Sequence, residues 1–149
     1  MNLKYASILL TGLATVQLYS SPTLAQTPVA QAREAEGENI IGVINRSQQA
    51  YHFERQTFAA DIINQLGIVI PENPDYSQPI ITSTDNLATV IVNAQEDGLR
   101  SFSGAITYNE GTYNQIICQS DNPTTTIDAP SLENNQLICP YGSSETIPN

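Results

Sequence analysis

Hydrophobic and polar positions along the chain follow three successive patterns. Behind Lys4, the run Tyr5 to Leu18 is apolar and uncharged. From about Glu36 the spacing becomes helical. Ile40, Val43, Ile44, Ser47, Ala50, Tyr51, Phe58 and Ile62 recur three, four or seven positions apart, which places them on one helix face. Arg46, Gln49, His52 and Gln56 fall elsewhere and are expected to face water. Past Pro71, Pro74 and Pro79, which forbid regular helix, the period drops to two.

These patterns predict an order of elements. One long amphipathic helix runs from about Glu38 to Gln56. Glu34, Glu36 and Glu38 lie near its amino end, where the helix dipole favours negative charge. Gly37 and Gly42 weaken that end, so residues 26–37, polar and Ala-rich, read as a flexible arm. Thr57 is the expected N-cap of a second, short helix from Phe58 to Leu66, closed by Gly67. In Leu87 to Ala94, Leu87, Thr89, Ile91 and Asn93 share one strand face and Ala88, Val90, Val92 and Ala94 the other. Glu96-Asp97-Gly98 and Asn109-Glu110-Gly111 read as tight turns into strands Leu99–Tyr108 and Thr112–Gln119. Phe102, Gly104, Ile106 and Tyr108 share a face of the former. The result is an antiparallel meander of three strands, or four if Ile80-Ile81-Thr82 adds an edge. The polar tail after Ser120 carries one apolar island, Leu137-Ile138-Cys139. The fold class is therefore α+β.

The leader changes the compartment. A basic start, a short apolar run and Ser20-Ser21-Pro22-Thr23-Leu24-Ala25 form a secretory signal peptide cut between Ala25 and Gln26. The run is shorter than the roughly 20 residues a bilayer span needs, so a retained anchor is the lesser reading. The expected division is a signal peptide over 1–25, the arm over 26–37 and one head domain over 38–149. An exported protein meets oxidising conditions, and its two cysteines, Cys118 and Cys139, then read as a disulfide that holds the tail down. Such a bridge is worth ~3 kcal/mol in the chain-entropy model. Two free buried thiols are the alternative.

A formal net charge of −10 repels nucleic acid and anionic lipid head groups, and the acids are scattered rather than gathered in a tail. His52 has no histidine partner at helical spacing and there is no Cys-x-x-Cys, so zinc is not indicated. No nucleophile elbow, phosphate loop or dinucleotide fingerprint occurs, and nothing points to an enzyme or a cofactor. Tyr108, Tyr113 and Tyr141, on or near the strands and the tail, form a possible interaction surface, against half-buried sheet residues as the plainer reading.

Particular residues add a family resemblance. Ile41-Gly42-Val43-Ile44-Asn45-Arg46-Ser47-Gln48-Gln49-Ala50-Tyr51 resembles the helix segment of the type IV pilin-like G/H family. Phe58-Ala59, Leu66-Gly67-Ile68, Ser103-Gly104-Ala105-Ile106 and Ile116-Ile117-Cys118 resemble its later segments. The resemblance implies a pilin-like head: a helix on a meander with a disulfide-stapled tail. No prepilin-peptidase motif of the Gly-Phe-Thr-Leu-x-Glu kind occurs, so what it implies is a head without the polymerising stem. The expected function is non-enzymatic, as accessory or partner of a type IV pilus or type II secretion-type system, in the periplasm or secreted. Its partners would be pilins or secretion components, with no nucleic acid and no stable membrane span after cleavage. The alternative is an independent exported binding module for a small ligand or calcium. Some pseudopilins bind calcium in C-terminal loops, and Asp121, Asn122, Asp128 and Glu133 offer oxygen ligands here, but without Asp-x-Asp-x-Asp-Gly spacing. Solvated loop acids are the preferred reading of these residues.

Overall fold

The computed structural model describes residues 27–146. The expected signal-peptide cut between Ala25 and Gln26 lies outside the described residues. A single helix, α1 (Pro28–Arg55), is followed by β1 (Ile80–Ser83), β2 (Leu87–Val92), β3 (Phe102–Asn109), β4 (Thr112–Ser120), β5 (Ser131–Glu133), β6 (Gln136–Ile138) and β7 (Ser143–Glu145). The main sheet is antiparallel in the order β1-β2-β3-β4-β7, and β5-β6 is a separate hairpin. The α+β class and the helix-on-meander layout follow as expected from the sequence.

Helix α1 starts well before Glu38, so residues 28–37 are helix rather than a flexible arm. Thr27 caps it, its hydroxyl accepting from the Ala30 N–H at 3.2 Å, and Pro28 supplies a φ suited to the first turn. Of the glycines that argued against a helix here, Gly37 serves packing instead. A Cβ on Gly37 would lie 2.7 Å from the Phe102 ring and 2.8 Å from that of Tyr76. Gln56 ends the helix in the left-handed region, φ 59°, donating to the His52 carbonyl at 2.8 Å.

The face that α1 buries also differs from expectation. It comprises Glu34, Gly37, Ile41, Gly42, Ile44, Asn45, Gln48 and His52, whereas Val43 and Ala50 are exposed. Each buried polar side chain has partners, as a buried amide or carboxylate requires. Asn45 donates to the carbonyls of Ala105 (3.3 Å) and Ile116 (3.2 Å). Gln48 pairs with the Ala59 backbone as a second peptide would, donating to its carbonyl and accepting from its N–H, both at 2.8 Å. Glu34 accepts from the Arg100 N–H at 3.0 Å and from the Gln119 amide at 3.3 Å.

The predicted second helix does not form. Phe58 is drawn into the core beside Ala88 and Ile106, Gln48 fixes Ala59, and only a single turn follows. Asp61, not Thr57, caps that turn. The Asn64 N–H and side-chain amide donate to its carboxylate, holding the carboxyl below its usual range. Gly67 takes φ +67° at the end of the turn.

The meander is as the period-two pattern predicts. Ala88, Val90 and Val92 of β2 and Phe102, Gly104 and Ile106 of β3 lie in register on the side facing the helix. They form the core with Ile41, Ile44, Tyr76 and Leu99. Gly104 lets Ile41 sit directly on the strand, where an added Cβ would overlap the Ile41 side chain. Asn109 pairs with Thr112, leaving Glu110 (φ 48°) and Gly111 (φ 86°) as a two-residue turn of the hairpin-favoured hand. The connection at Glu96-Asp97-Gly98 is wider than a tight turn. Pairing stops at Val92–Phe102, and Ala94 bridges to Tyr76 instead.

The tail has more structure than its polar composition suggests. Cys118 and Cys139 are joined, with Cα atoms 5.7 Å apart. β5 and β6 turn through Asn134 and Asn135, both at positive φ. Leu137 and Cys139 pack against Ala105, Ile116 and Cys118 on the side of the sheet away from the helix. β7 then returns to pair with β4.

Candidate interaction surface

His52, expected in water, is 3% exposed. Its ring lies 4.4 Å from Phe58 and 4.7 Å from Tyr108, centroid to centroid, and meets Tyr113 edge-on at 5.5 Å. Nδ1 and the Tyr113 hydroxyl hydrogen-bond at 2.9 Å. The reason is local: the chain leaving α1 folds Phe58 back under the last turn, and the tight β3-β4 hairpin sets Tyr108 opposite Tyr113, rings 4.7 Å apart. Burial first, and the neighbouring Tyr108 phenol second, raise the Tyr113 phenol above its ordinary range.

Two of the three predicted surface tyrosines therefore form one half-buried aromatic wall. Its open side continues onto α1. Arg46, Gln49, Ala50, Phe53, Glu54 and Tyr113 line a shallow hollow of about 290 Å³. Phe53 is 74% exposed, an unusual position for a phenyl ring on an otherwise ordered helix. The sequence places Arg46 in water and gives neither it nor Phe53 a role in an interaction surface. The available signal was Phe53 itself, an aromatic residue off the apolar register of the helix.

Tyr141 lies apart. β4 begins next to Tyr113 and ends at Ser120, which pairs with Ser143 just beyond Tyr141. Tyr141 is fully exposed and borders a hollow of about 200 Å³ with Ser120, Thr124, Thr126 and Asp128. Two of the oxygen-ligand candidates of the tail, Asp121 and Glu133, have their own engagements. Asp121 accepts from the Ser144 hydroxyl at 2.6 Å and Glu133 from that of Ser131 at 3.1 Å. Among the described residues, no group of three or more His, Cys, Asp or Glu side chains is arranged to hold a metal ion.

A different polar cluster closes the amino half of the helix. Tyr76 donates to the Arg100 carbonyl at 3.1 Å, and the Arg100 guanidinium donates to Gln119 at 3.1 Å. Burial, then the negative charge of Glu34, push the Tyr76 phenol far above its ordinary range. This cluster clamps helix, loop and sheet together, below the surface.

The architecture defines a disulfide-stapled α+β domain with exposed aromatic and apolar residues on its surface. A comparison with family models identifies it further: residues 34–140 match the type IV pilin-like G and H family, and the chain belongs to that family. The match runs from Glu34, on the early helix, to Pro140, just beyond the staple. Type IV pilin-like proteins are generally structural proteins. Neither the curated proteins nor the solved structures give a match. No helix among the described residues is long and apolar enough to cross a membrane, and the disulfide suits an oxidising compartment.

Proposed function

We propose that this protein is an exported, non-enzymatic accessory of a type IV pilus or type II secretion-type system, working in the periplasm or outside the cell. It acts by docking onto a pilin or a secretion component through the carboxyl half of α1. The observation that carries this reading is Phe53, held out into solvent beside Tyr113 and Arg46. Aromatic residues and arginine dominate the energetics of protein interfaces, and the ordered helix presents them with little conformational cost on binding. Membership of the pilin-like family supports the choice of partner.

The test is affinity capture from envelope extracts with the mature protein and its Phe53→Ala variant. Wild type is expected to enrich a pilin or assembly component. The variant is expected to lose most of that enrichment, since truncating a central aromatic anchor costs about 2 kcal/mol or more. Absence of any such component from the wild-type capture overturns the proposal.

A further inference from the structure

The amino half of the helix and the proline-rich loop enclose a groove of about 360 Å³, further along α1 from the hollow beside Phe53 and sharing no lining residue with it. Ile40, Val43, Ile70 and Pro71 give it apolar walls, while Glu36 and Glu72 stand at its margin. Arg33, the nearby cation on α1, is ion-paired with Asp75 at 3.5 Å. The Glu36 and Glu72 carboxylates make no hydrogen bond or ion pair with any described residue. The loop is fixed where it leaves the groove: Asn73 accepts from the Asp75 N–H at 2.7 Å, the Asp75 carbonyl accepts from Gln95 at 2.8 Å, and Tyr76 is buried. The cleft is thus formed in advance of any occupant. On the far side of Ile70 the apolar surface continues into a second hollow of about 400 Å³, where Ile63 and Val69 are exposed.

We infer that this groove receives a cationic, amphipathic segment of a partner protein, apolar side chains seated on either side of Ile70 and a lysine or arginine placed between Glu36 and Glu72. Charge complementarity decides the occupant. Two unpaired carboxylates at an apolar mouth, on a chain of net charge −10, attract a cation and repel an anionic lipid surface. Two apolar hollows sharing one residue extend beyond the reach of a single small amine. The inference depends on the preceding reading only in that the occupant is protein, and the Phe53 variant separates the two.

The probe is a short synthetic peptide of alternating leucine and lysine, with its leucine–glutamate counterpart as control, titrated by calorimetry and NMR. The lysine peptide is expected to bind with one-to-one stoichiometry, shifting signals of Glu36, Val43, Ile70 and Glu72, and to weaken as salt is raised. The glutamate peptide is expected not to bind. Glu36→Gln with Glu72→Gln should weaken binding roughly 3- to 10-fold, and Val43→Lys should abolish it. Phe53→Ala should leave it unchanged, as should Glu96→Gln with Glu110→Gln, which removes the same charge elsewhere. Equal weakening by both glutamate pairs would reduce the effect to diffuse attraction and overturn the inference. So would binding of the acidic peptide, no binding of the basic one, or self-association of the chain lost in Val43→Lys, which would assign the groove to a second copy.

Discussion

The two sides of the main sheet are covered by different means. The side under α1 is built from Val90, Val92, Phe102 and Ile106, closed by Ile41, Ile44 and Tyr76 from helix and loop. The opposite side carries Ser103, Ala105, Thr107 and Cys118, as deeply buried but small or polar, beside Ile116 and beneath the short β5-β6 hairpin. The Ser103 hydroxyl there has no hydrogen-bond partner among the described residues. Large apolar area holds the first side together, at roughly 25 cal/mol for each Å² removed from water. The second buries fewer large apolar side chains, and a covalent bond adds to what packing supplies there. Burial alone is therefore a poor guide to which part of a fold stabilises it.

The strongest way to break the comparison is in the helix-side core. Phe102→Ala leaves a cavity against Gly37 and Tyr76 and should cost about 3–5 kcal/mol, read from the urea midpoint and slope. A loss under 1 kcal/mol would mean that the helix side is not the main source of stability. Removing the staple with Cys118→Ala and Cys139→Ala should cost about 2–4 kcal/mol, and hydrogen exchange would show where. Amides of Ser131–Glu133 and Gln136–Ile138 are expected to exchange faster while those of Val90 and Val92 keep their protection. Equal loss on both sides would show the two to be one cooperative unit, against the contrast drawn here.

A smaller effect sharpens the contrast through pH. Burial raises the Tyr76 phenol, so the folded state favours its neutral form. That contribution is whole below the unfolded value of ~10 and is lost as pH climbs from there toward the higher folded value. Stability of the wild type should fall above this point, and Tyr76→Phe should fall less steeply. Parallel alkaline slopes in the two proteins would remove Tyr76 from the account.

The meander was legible in the sequence because its residues obey one rule: alternate positions of Leu87–Val92 and Phe102–Tyr108 are apolar on the side that meets the helix. The Glu110-Gly111 turn and the cysteine pair were legible for equally local reasons. Helix α1 was harder to read because its buried face is half polar. Asn45, Gln48 and His52 are core residues whose partners lie up to 71 positions away, and an apolar repeat does not register them. Gly37 and Gly42 looked like helix breakers, although Gly37 marks the place where two aromatic rings approach. The spacing of Phe58, Ile62 and Leu66 was helical, yet tertiary packing used those side chains from a turn. At the surface, the Tyr108–Tyr113 wall was visible as strand aromatics, whereas the separation of Tyr141 from it depends on the length of β4. The acid-margined groove depends on how the proline loop returns to the helix, which sequence spacing does not encode.

The pairing of Gln48 with the Ala59 backbone bears on how the molecule ages. Hydrolysis of that one side-chain amide to an acid would keep the oxygen that receives the Ala59 N–H. In place of the donor it would set a second oxygen 2.8 Å from the Ala59 carbonyl. Sealed at 1% exposure between helix and returning chain, Gln48 is shielded from the water that would hydrolyse it.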